Sequence, residues 1–125
     1  MTKEEIKTYT ELNNKFIKDC KRVKEIFSDL RDDDGYIYFA DTFYCEWDEV
    51  HWHGVESGSY QYYEDHYGYF PIKYLSFTDD ELRAVVEQKN KEYDEQLEKE
   101  HEEEEEREKA KRKILFETLK KEFDV

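Results

Sequence analysis

Glycine, proline and cysteine are scarce in this chain, with 4, 1 and 2 copies among 125 residues. No glycine or proline follows Pro71, so nothing in the sequence interrupts a helix beyond that point. Cys20 and Cys45 show no CxxC spacing, which gives a disulfide framework little support. The sequence also has no apolar run near the roughly 20 residues of a transmembrane helix. These absences, together with the length, predict one domain that does not cross a membrane.

Positive charge is also scarce. The net charge is −14, and the segment from Tyr36 to Phe77 holds fifteen aromatic residues and seven carboxylates but only one basic residue, Lys73. An acidic chain is repelled by nucleic acid and by anionic bilayers, and is attracted to basic proteins. We therefore expect no direct binding of nucleic acid or membrane. Because the first residues lack the apolar core of a signal peptide, we expect a cytoplasmic location.

The first half of the chain predicts a helix packed on a small antiparallel sheet. Thr2 and Glu5 form a capping-box pattern, and apolar residues then recur at alternating spacings of three and four, which predicts a helix over residues 2–31. Aromatic and β-branched residues then favour strands within residues 36–75, in an antiparallel meander. The predicted strands are Tyr36–Ala40, Phe43–His53, Tyr60–Tyr63 and Tyr67–Tyr74, with Pro71 at an edge or an end. Gly54, residues 57–59 and Gly68 are the predicted breaks between strands.

A second capping-box pattern, Thr78 with Glu81, predicts a long helix that runs to the C-terminus. The fold class is therefore α+β, with a core over residues 1–97 and a charged helical extension over 98–125. Residues 92–106 carry ten acids and one Lys, whereas 107–113 carry five bases and one Glu. Two copies laid antiparallel about residue 106 would set acid against base.

We expect this homodimer to use the apolar residues on either side of the charged segment: Tyr93, Leu97, Leu115, Leu119 and Phe123. The alternative is a solvated helix stabilised by its own i,i+4 ion pairs, such as Glu103 with Arg107.

The acidic, aromatic segment predicts a binding surface for a basic partner. Tyr and Trp carry much of the energy of protein interfaces, and carboxylates at alternate strand positions lie roughly 7 Å apart, close to the phosphate spacing of a DNA strand. The predicted partner-binding residues are Glu46, Trp47, Asp48, Glu49, Trp52, Tyr62, Tyr63, Glu64 and Asp65. The alternative is a sheet with an aromatic core face and a solvated acidic face.

A metal site and a catalytic site are both disfavoured by the sequence. Cys45, His51 and His53 share one face of the predicted strand, and His66 could join them as a fourth zinc ligand. However, the first three would span about 27 Å along one straight strand at roughly 3.4 Å per residue. The chain also lacks a phosphate loop and a nucleophile beside a base. We expect no metal, no cofactor and no enzymatic activity.

The short aromatic and acidic strands, the junction from Phe70 to Leu82 and the Glu/Lys/Arg-rich terminal helix resemble small accessory proteins of bacteriophages. The resemblance covers residues 36–125. It implies an inhibitor of host defence, as anti-CRISPR proteins are, some of which mimic DNA. Its target would be the basic, nucleic-acid-binding surface of a host protein in the host cytoplasm. The alternatives are an assembly protein that oligomerises through its terminal helix and, third, a zinc- or small-ligand-binding protein such as a nucleotide scavenger.

Overall fold

The computed structural model describes residues 1–123, apart from the side chains of residues 33–35. The last two residues of the predicted extension therefore lie outside the described part. The elements are α1 (Lys3–Phe27), β1 (Ala40–Glu46), β2 (Glu49–Ser57), β3 (Tyr63–Pro71) and α2 (Asp79–Phe123), with 3₁₀ helices at Asp33–Phe39 and Ile72–Ser76. The strands form one antiparallel sheet in the order β1-β2-β3. The predicted α+β class and the meander are confirmed.

Both helices begin where their capping boxes predict. The Thr2 hydroxyl accepts the backbone N–H of Glu5 at 3.1 Å, while the Glu5 carboxylate accepts the backbone N–H of Thr2 at 3.2 Å. Thr78 and Glu81 make the same reciprocal pair, at 3.2 Å in each direction. These bonds satisfy backbone donors that have no partner within the helix. α1 ends at Phe27, and α2 continues without a break to Phe123.

The strand boundaries differ from the prediction in three places. The predicted strand at Tyr36–Ala40 is mostly a 3₁₀ helix, and the predicted strand at Phe43–His53 is a hairpin that turns at residues 47 and 48. The third difference is that one strand, β3, replaces the predicted strands Tyr60–Tyr63 and Tyr67–Tyr74, and residues 72–76 form a 3₁₀ helix. Gly68 is not a break: it lies opposite Trp52, and a Cβ there would overlap the indole ring. Pro71 ends β3, an edge strand, as predicted.

The core lies between one face of the sheet, the second half of α1 and the start of α2. Its buried residues are Cys20, Val23, Phe27, Leu30, Ile37, Ala40, Val50, Trp52, Phe70, Tyr74, Leu82 and Val86. The apolar stripe predicted from Ile6 onward is buried only from Cys20, since Ile6, Tyr9 and Leu12 are more than half exposed. The first turns of α1 therefore contribute little to the core.

Polar contacts join α1 and the segment that follows it to α2 within the compact unit Met1–Asn90. The Arg22 guanidinium donates to the Asp79 carboxylate at 2.7 Å, at the start of α2. The Asn90 side chain accepts the backbone N–H of Arg31 at 2.9 Å and donates to the carbonyl of Asp29 at 3.1 Å. A second unit begins at Lys91 and consists of the remainder of α2.

Within the described residues, neither helix has the length and apolarity that a bilayer crossing requires.

Gly54 allows the chain before β1 to pass directly over β2, because a Cβ at this position would overlap the carbonyl oxygen of Phe39. We expect Gly54→Ala to lower the free energy of unfolding by about 2 kcal/mol or more, since a backbone segment must move to admit the methyl group. Gly58→Ala is the matched control. Its Cβ would meet only the side chain of Tyr62, with the nearest atom at 2.9 Å, and this exposed side chain can move into solvent, so the loss should be smaller than for Gly54→Ala by about 1 kcal/mol or more. Urea denaturation followed by circular dichroism measures both, and equal stability of the two variants would contradict the assigned packing.

Candidate protein-binding face

The central strand β2 divides the sheet into two chemically different faces. Val50, Trp52 and Gly54 are buried, whereas the residues between them, His51 and His53, are partly exposed. Side chains alternate along a strand, and residues directly opposite on neighbouring strands share a face. The register therefore shows which residues lie on the side of the sheet away from the core, and we call this side the outer face. Its residues are Thr42, Tyr44, Glu46, Glu49, His51, His53, Val55, Tyr63, Asp65, Tyr67 and Tyr69.

Aromatic rings form two rows across the outer face. In the first row, the His51 ring lies between Tyr44 and Tyr69, with ring centroids 5.4 and 5.8 Å away. In the second row, His53 stacks on Tyr67 at 4.6 Å. All three tyrosines are more than half exposed. The sheet therefore holds these rings side by side.

The charges on the outer face are carboxylates next to these histidines. The His53 Nε2 atom lies 3.0 Å from an Asp65 oxygen, and the His51 Nε2 atom lies 3.9 Å from both Glu46 and Glu49. Of the six carboxylates on the three strands, Glu46, Glu49 and Asp65 lie on the outer face, and the strands contain no Lys or Arg. The outer face is therefore acidic as well as aromatic.

A fully exposed tryptophan occupies the turn between β1 and β2. Trp47 is 92% exposed and has a φ of 58°, a left-handed conformation that glycine or asparagine usually occupies in hairpin turns. The turn itself is fixed, because the carbonyl of Asp48 accepts the backbone N–H of Ile72 at 2.8 Å. The conformation costs roughly 1–2 kcal/mol for a residue with a side chain. An indole that gains no burial in the fold does not offset this cost.

The loop between β2 and β3 repeats the arrangement. Tyr60 is 100% exposed, and both Tyr60 and Gln61 have left-handed φ angles, 62° and 59°. Across this loop, the carbonyl of Tyr62 accepts the backbone N–H of Gly58 at 2.9 Å. Both hairpin turns therefore hold a fully exposed aromatic residue in a conformation that the fold alone would assign to glycine. Strain of this kind is typical of positions that are kept for binding.

The structure separates the predicted partner-binding residues into three groups. Glu46, Trp47, Asp48 and Glu49 lie at the β1–β2 turn, while Tyr62, Tyr63 and Asp65 lie at the opposite end of the sheet. Trp52 does not belong to a binding face: it is 5% exposed and lies in the core, because its strand position has the same parity as Val50. Glu64 points to the other side from Asp65, where it pairs with Glu56.

The prediction that carboxylates occupy alternate positions along one strand is also wrong. Glu46 and Asp48 would have been such a pair, but the chain reverses at Trp47 and Asp48. Glu64 and Asp65 are adjacent and so point to opposite faces. The acidic groups are instead clustered at the two ends of the outer face, with aromatic rings between them.

The centre of the face includes residues that the prediction did not assign to partner binding, namely His51, His53 and Tyr69. His51 and His53 were considered only as metal ligands, and Tyr69 was not singled out. The cross-strand register would have found all three, since it places His51 directly opposite Tyr44 and Tyr69, and His53 opposite Tyr67. That register depends on a turn at Trp47 and Asp48 that carries none of the usual hairpin residues.

The four residues considered for zinc do not converge. Cys45 pairs with the buried Val50 on the core side, whereas His51 and His53 lie on the outer face. His66 pairs with Gly54 on the core side, near the other end of β2. Both cysteines are free, and burial raises the pKa of the Cys20 thiol to about 12, so it stays protonated at neutral pH.

A groove between α1 and β1 bears on the small-ligand alternative. Its volume is about 440 Å³, and its lining includes Lys21 and Lys24 but also Glu25 and Asp41. The ammonium group of Lys24 already donates to the carbonyl of Ala40 at 2.7 Å. With two cations against two carboxylates, the groove has no net positive charge for a phosphate.

The residues predicted for self-association lie in the second unit. Leu97, Leu115, Leu119 and Phe123 are exposed, together with Ile114 and Phe116, and Tyr93 is partly exposed. Within the described residues, the helix from Lys91 to Phe123 buries none of its side chains. Its apolar end is available to a partner.

No protein-family model matches this chain. Comparison with curated proteins and with solved structures likewise gave no match.

The cost of the left-handed turn can be measured by replacing Trp47 with Gly and, separately, with Ala. Both changes remove the indole, so the difference between them isolates the backbone conformation. We expect the Gly variant to be more stable than the Ala variant by about 1 kcal/mol, because only glycine adopts this conformation without strain. Chemical denaturation provides the two values. A Gly variant that is no more stable than the Ala variant would show that the turn is unstrained.

Proposed function

We propose that this chain is a non-enzymatic binding protein that covers a basic, nucleic-acid-binding surface of another protein. The resemblance to phage accessory proteins suggests a host defence protein as the target and the host cytoplasm as the setting. In this proposal the outer face and its two turns form the contact surface. Binding would block the target by occupying the site of its nucleic acid.

One observation carries the proposal: the two most exposed aromatic side chains of the sheet, Trp47 and Tyr60, are held in left-handed conformations at its two ends. A fold under selection for stability alone would favour Gly or Asn at both positions. Exposed Trp and Tyr contribute strongly when a partner buries them. The rows of Tyr44, Tyr67 and Tyr69 between the turns supply further area at a low cost in conformational entropy.

The charge of the face supports a basic partner. Glu46, Glu49 and Asp65 provide carboxylates, and arginine can pair with them while its guanidinium stacks on a neighbouring ring. The net charge of −14 adds long-range attraction to the same class of partner. A protein that binds nucleic acid presents such a surface, with Lys and Arg aligned along a phosphate backbone.

The partner can be recovered by pull-down from a bacterial lysate at low and at high salt, with Trp47→Gly as the matched bait. This variant lacks the turn indole and should fold at least as well as the Ala variant. We expect the wild type to retain a basic protein at low salt, and we expect the variant to lose that protein. If both baits retain the same proteins, Trp47 has no part in binding.

Charge reversal tests whether the face steers that partner. We expect Glu46→Lys, Glu49→Lys and Asp65→Lys together to slow association about tenfold, with a smaller effect on dissociation, because fixed charges act mainly on the encounter. The control reverses Glu98, Glu102 and Glu106 on α2, which changes the net charge by the same amount. Biolayer interferometry measures both rates. Equal slowing by the two triple variants would place the effect in the net charge and not in the face.

A second candidate function, assembly through the terminal helix, is favoured by the exposed apolar end of α2. In the antiparallel pairing about residue 106, Tyr93 would meet Leu119 of a second copy and Leu97 would meet Leu115. The acidic segment of each copy would then lie along the basic segment of the other. This assembly is compatible with binding through the outer face.

For this assembly we expect a dimer at micromolar concentration, and a monomer after Leu115→Asp and Leu119→Asp, since a charge at the seam would be buried without a partner. Lys120→Asp and Lys121→Asp form the control, because they add two acids on the same turns but off the seam. Light scattering coupled to size exclusion gives the masses, and circular dichroism checks the helix. A monomeric wild-type chain would remove the assembly candidate and leave the binding proposal intact.

A further inference from the structure

Three metal-ligating side chains meet on the core side of the sheet, near the β2–β3 loop. Glu56 and Glu64 are directly opposite each other on β2 and β3, and His66 lies two residues after Glu64 on the same side of β3. One ligand atom from each of the three lies within 4.8 Å of the other two. In the part of the chain that the structure describes, this is the one group of three such residues with this spacing.

The two glutamates repel each other, because like charges directly opposite in an antiparallel pair destabilise a sheet. Among the described residues, Glu56 forms a hydrogen bond with His66 and Glu64 accepts one from Tyr62, and neither glutamate contacts a Lys or an Arg. The site therefore concentrates two negative charges around one imidazole. A cation at this point would offset the repulsion.

The imidazole is fixed in a position suited to ligation. His66 is 8% exposed, and its Nε2 atom lies 2.9 Å from a Glu56 oxygen. Its ring stacks on Tyr36, with centroids 4.3 Å apart and planes 9° apart, and on Phe39 at 5.3 Å. The Tyr62 hydroxyl donates to the Glu64 carboxylate. Hydrogen bonds of this kind orient ligating carboxylates in metal sites.

We propose that Glu56, Glu64 and His66 bind one zinc ion per chain, with water completing the coordination. Two carboxylates and a neutral imidazole supply a charge of −2, which a divalent ion balances. The nitrogen ligand favours Zn²⁺ over Mg²⁺ and Ca²⁺, which prefer oxygen. Ligands at about 2.1 Å around a tetrahedral ion lie about 3.4 Å apart. The exposed side chain of Glu64 can close this distance while the buried His66 stays in place.

The site lies on the opposite side of the sheet from the outer face, and it does not depend on the proposed function. Its metal would cross-link β2 to β3 beside the loop that carries Tyr60. Because the His66 ring stacks on Tyr36 and Phe39, the metal would also restrain these two residues at this end of the sheet.

The test is calorimetric titration of the full chain with zinc chloride, after removal of metal by a chelator. We expect one zinc per chain, with an affinity at least tenfold lower in Glu56→Gln and in Glu64→Gln, each checked for folding by circular dichroism. Asp65→Asn is the matched control, because it removes the carboxylate from the His53 pair on the outer face. That variant should bind zinc as the wild type does.

Nitrogen-15 spectra of the wild-type imidazoles give a readout that does not depend on any variant. Saturating zinc should shift the Nε2 resonance of His66 and leave that of His53 in place. The proposal is overturned if zinc does not bind, if both Gln variants keep the wild-type affinity, or if the His66 resonance does not move. It is equally overturned if Mg²⁺ or Ca²⁺ binds as tightly as zinc, since the nitrogen would then have no role.

Discussion

The close packing of two glycines against their neighbours is the constraint on which the rest of the structure depends. Gly54 leaves room for the backbone at Phe39, and Gly68 leaves room for the indole of Trp52. Together they fix which residues of β2 face the core. A slip of one residue would bury His51 and His53 and expose Val50 and Trp52, at a cost in both apolar burial and desolvation. The outer face exists because this register is held.

The sequence predicted the elements well where a local interaction determines them. The capping boxes at Thr2 and Thr78 act within four residues, and they placed the start of both helices correctly. The absence of Gly and Pro after residue 71 likewise predicted the continuous α2. The meander followed from several aromatic segments separated by turn residues. These features need no information about distant parts of the chain.

The errors arose where contacts distant in sequence decide the outcome. Trp47 is not a residue that signals a turn, so the sequence predicts one strand where the structure has a hairpin. The residues after the turn therefore lie on the opposite face from the one that a single strand would give them. Trp52, which the sequence predicts as a partner-binding residue, lies in the core. The sequence predicts a break at Gly68, since glycine often marks a turn, whereas its actual role depends on Trp52, sixteen positions earlier. The metal-ligating group of Glu56, Glu64 and His66 also depends on the β2–β3 register, which the sequence does not specify by itself.

The two faces of the sheet suit different partners. The core side has the small group of Glu56, Glu64 and His66, whereas the outer face has carboxylates at its two ends with exposed aromatic rings between them. In our proposals a single ion would occupy the first, and the second would contact a surface that presents cations and flat groups together. Arginine-rich protein surfaces do so. Strained, exposed aromatics at both turns extend the outer face without adding to the stability of the fold.

The central claim, that the outer face contacts a basic protein, is tested most directly by hydroxyl-radical footprinting of the complex with the recovered partner. Mass spectrometry reports the oxidation of each aromatic side chain with and without that partner. The account predicts protection of Trp47, Tyr67 and Tyr69, with unchanged oxidation of the exposed Tyr9 on α1. Equal oxidation of the sheet residues in the free and bound protein, or protection of Tyr9 alone, would contradict it.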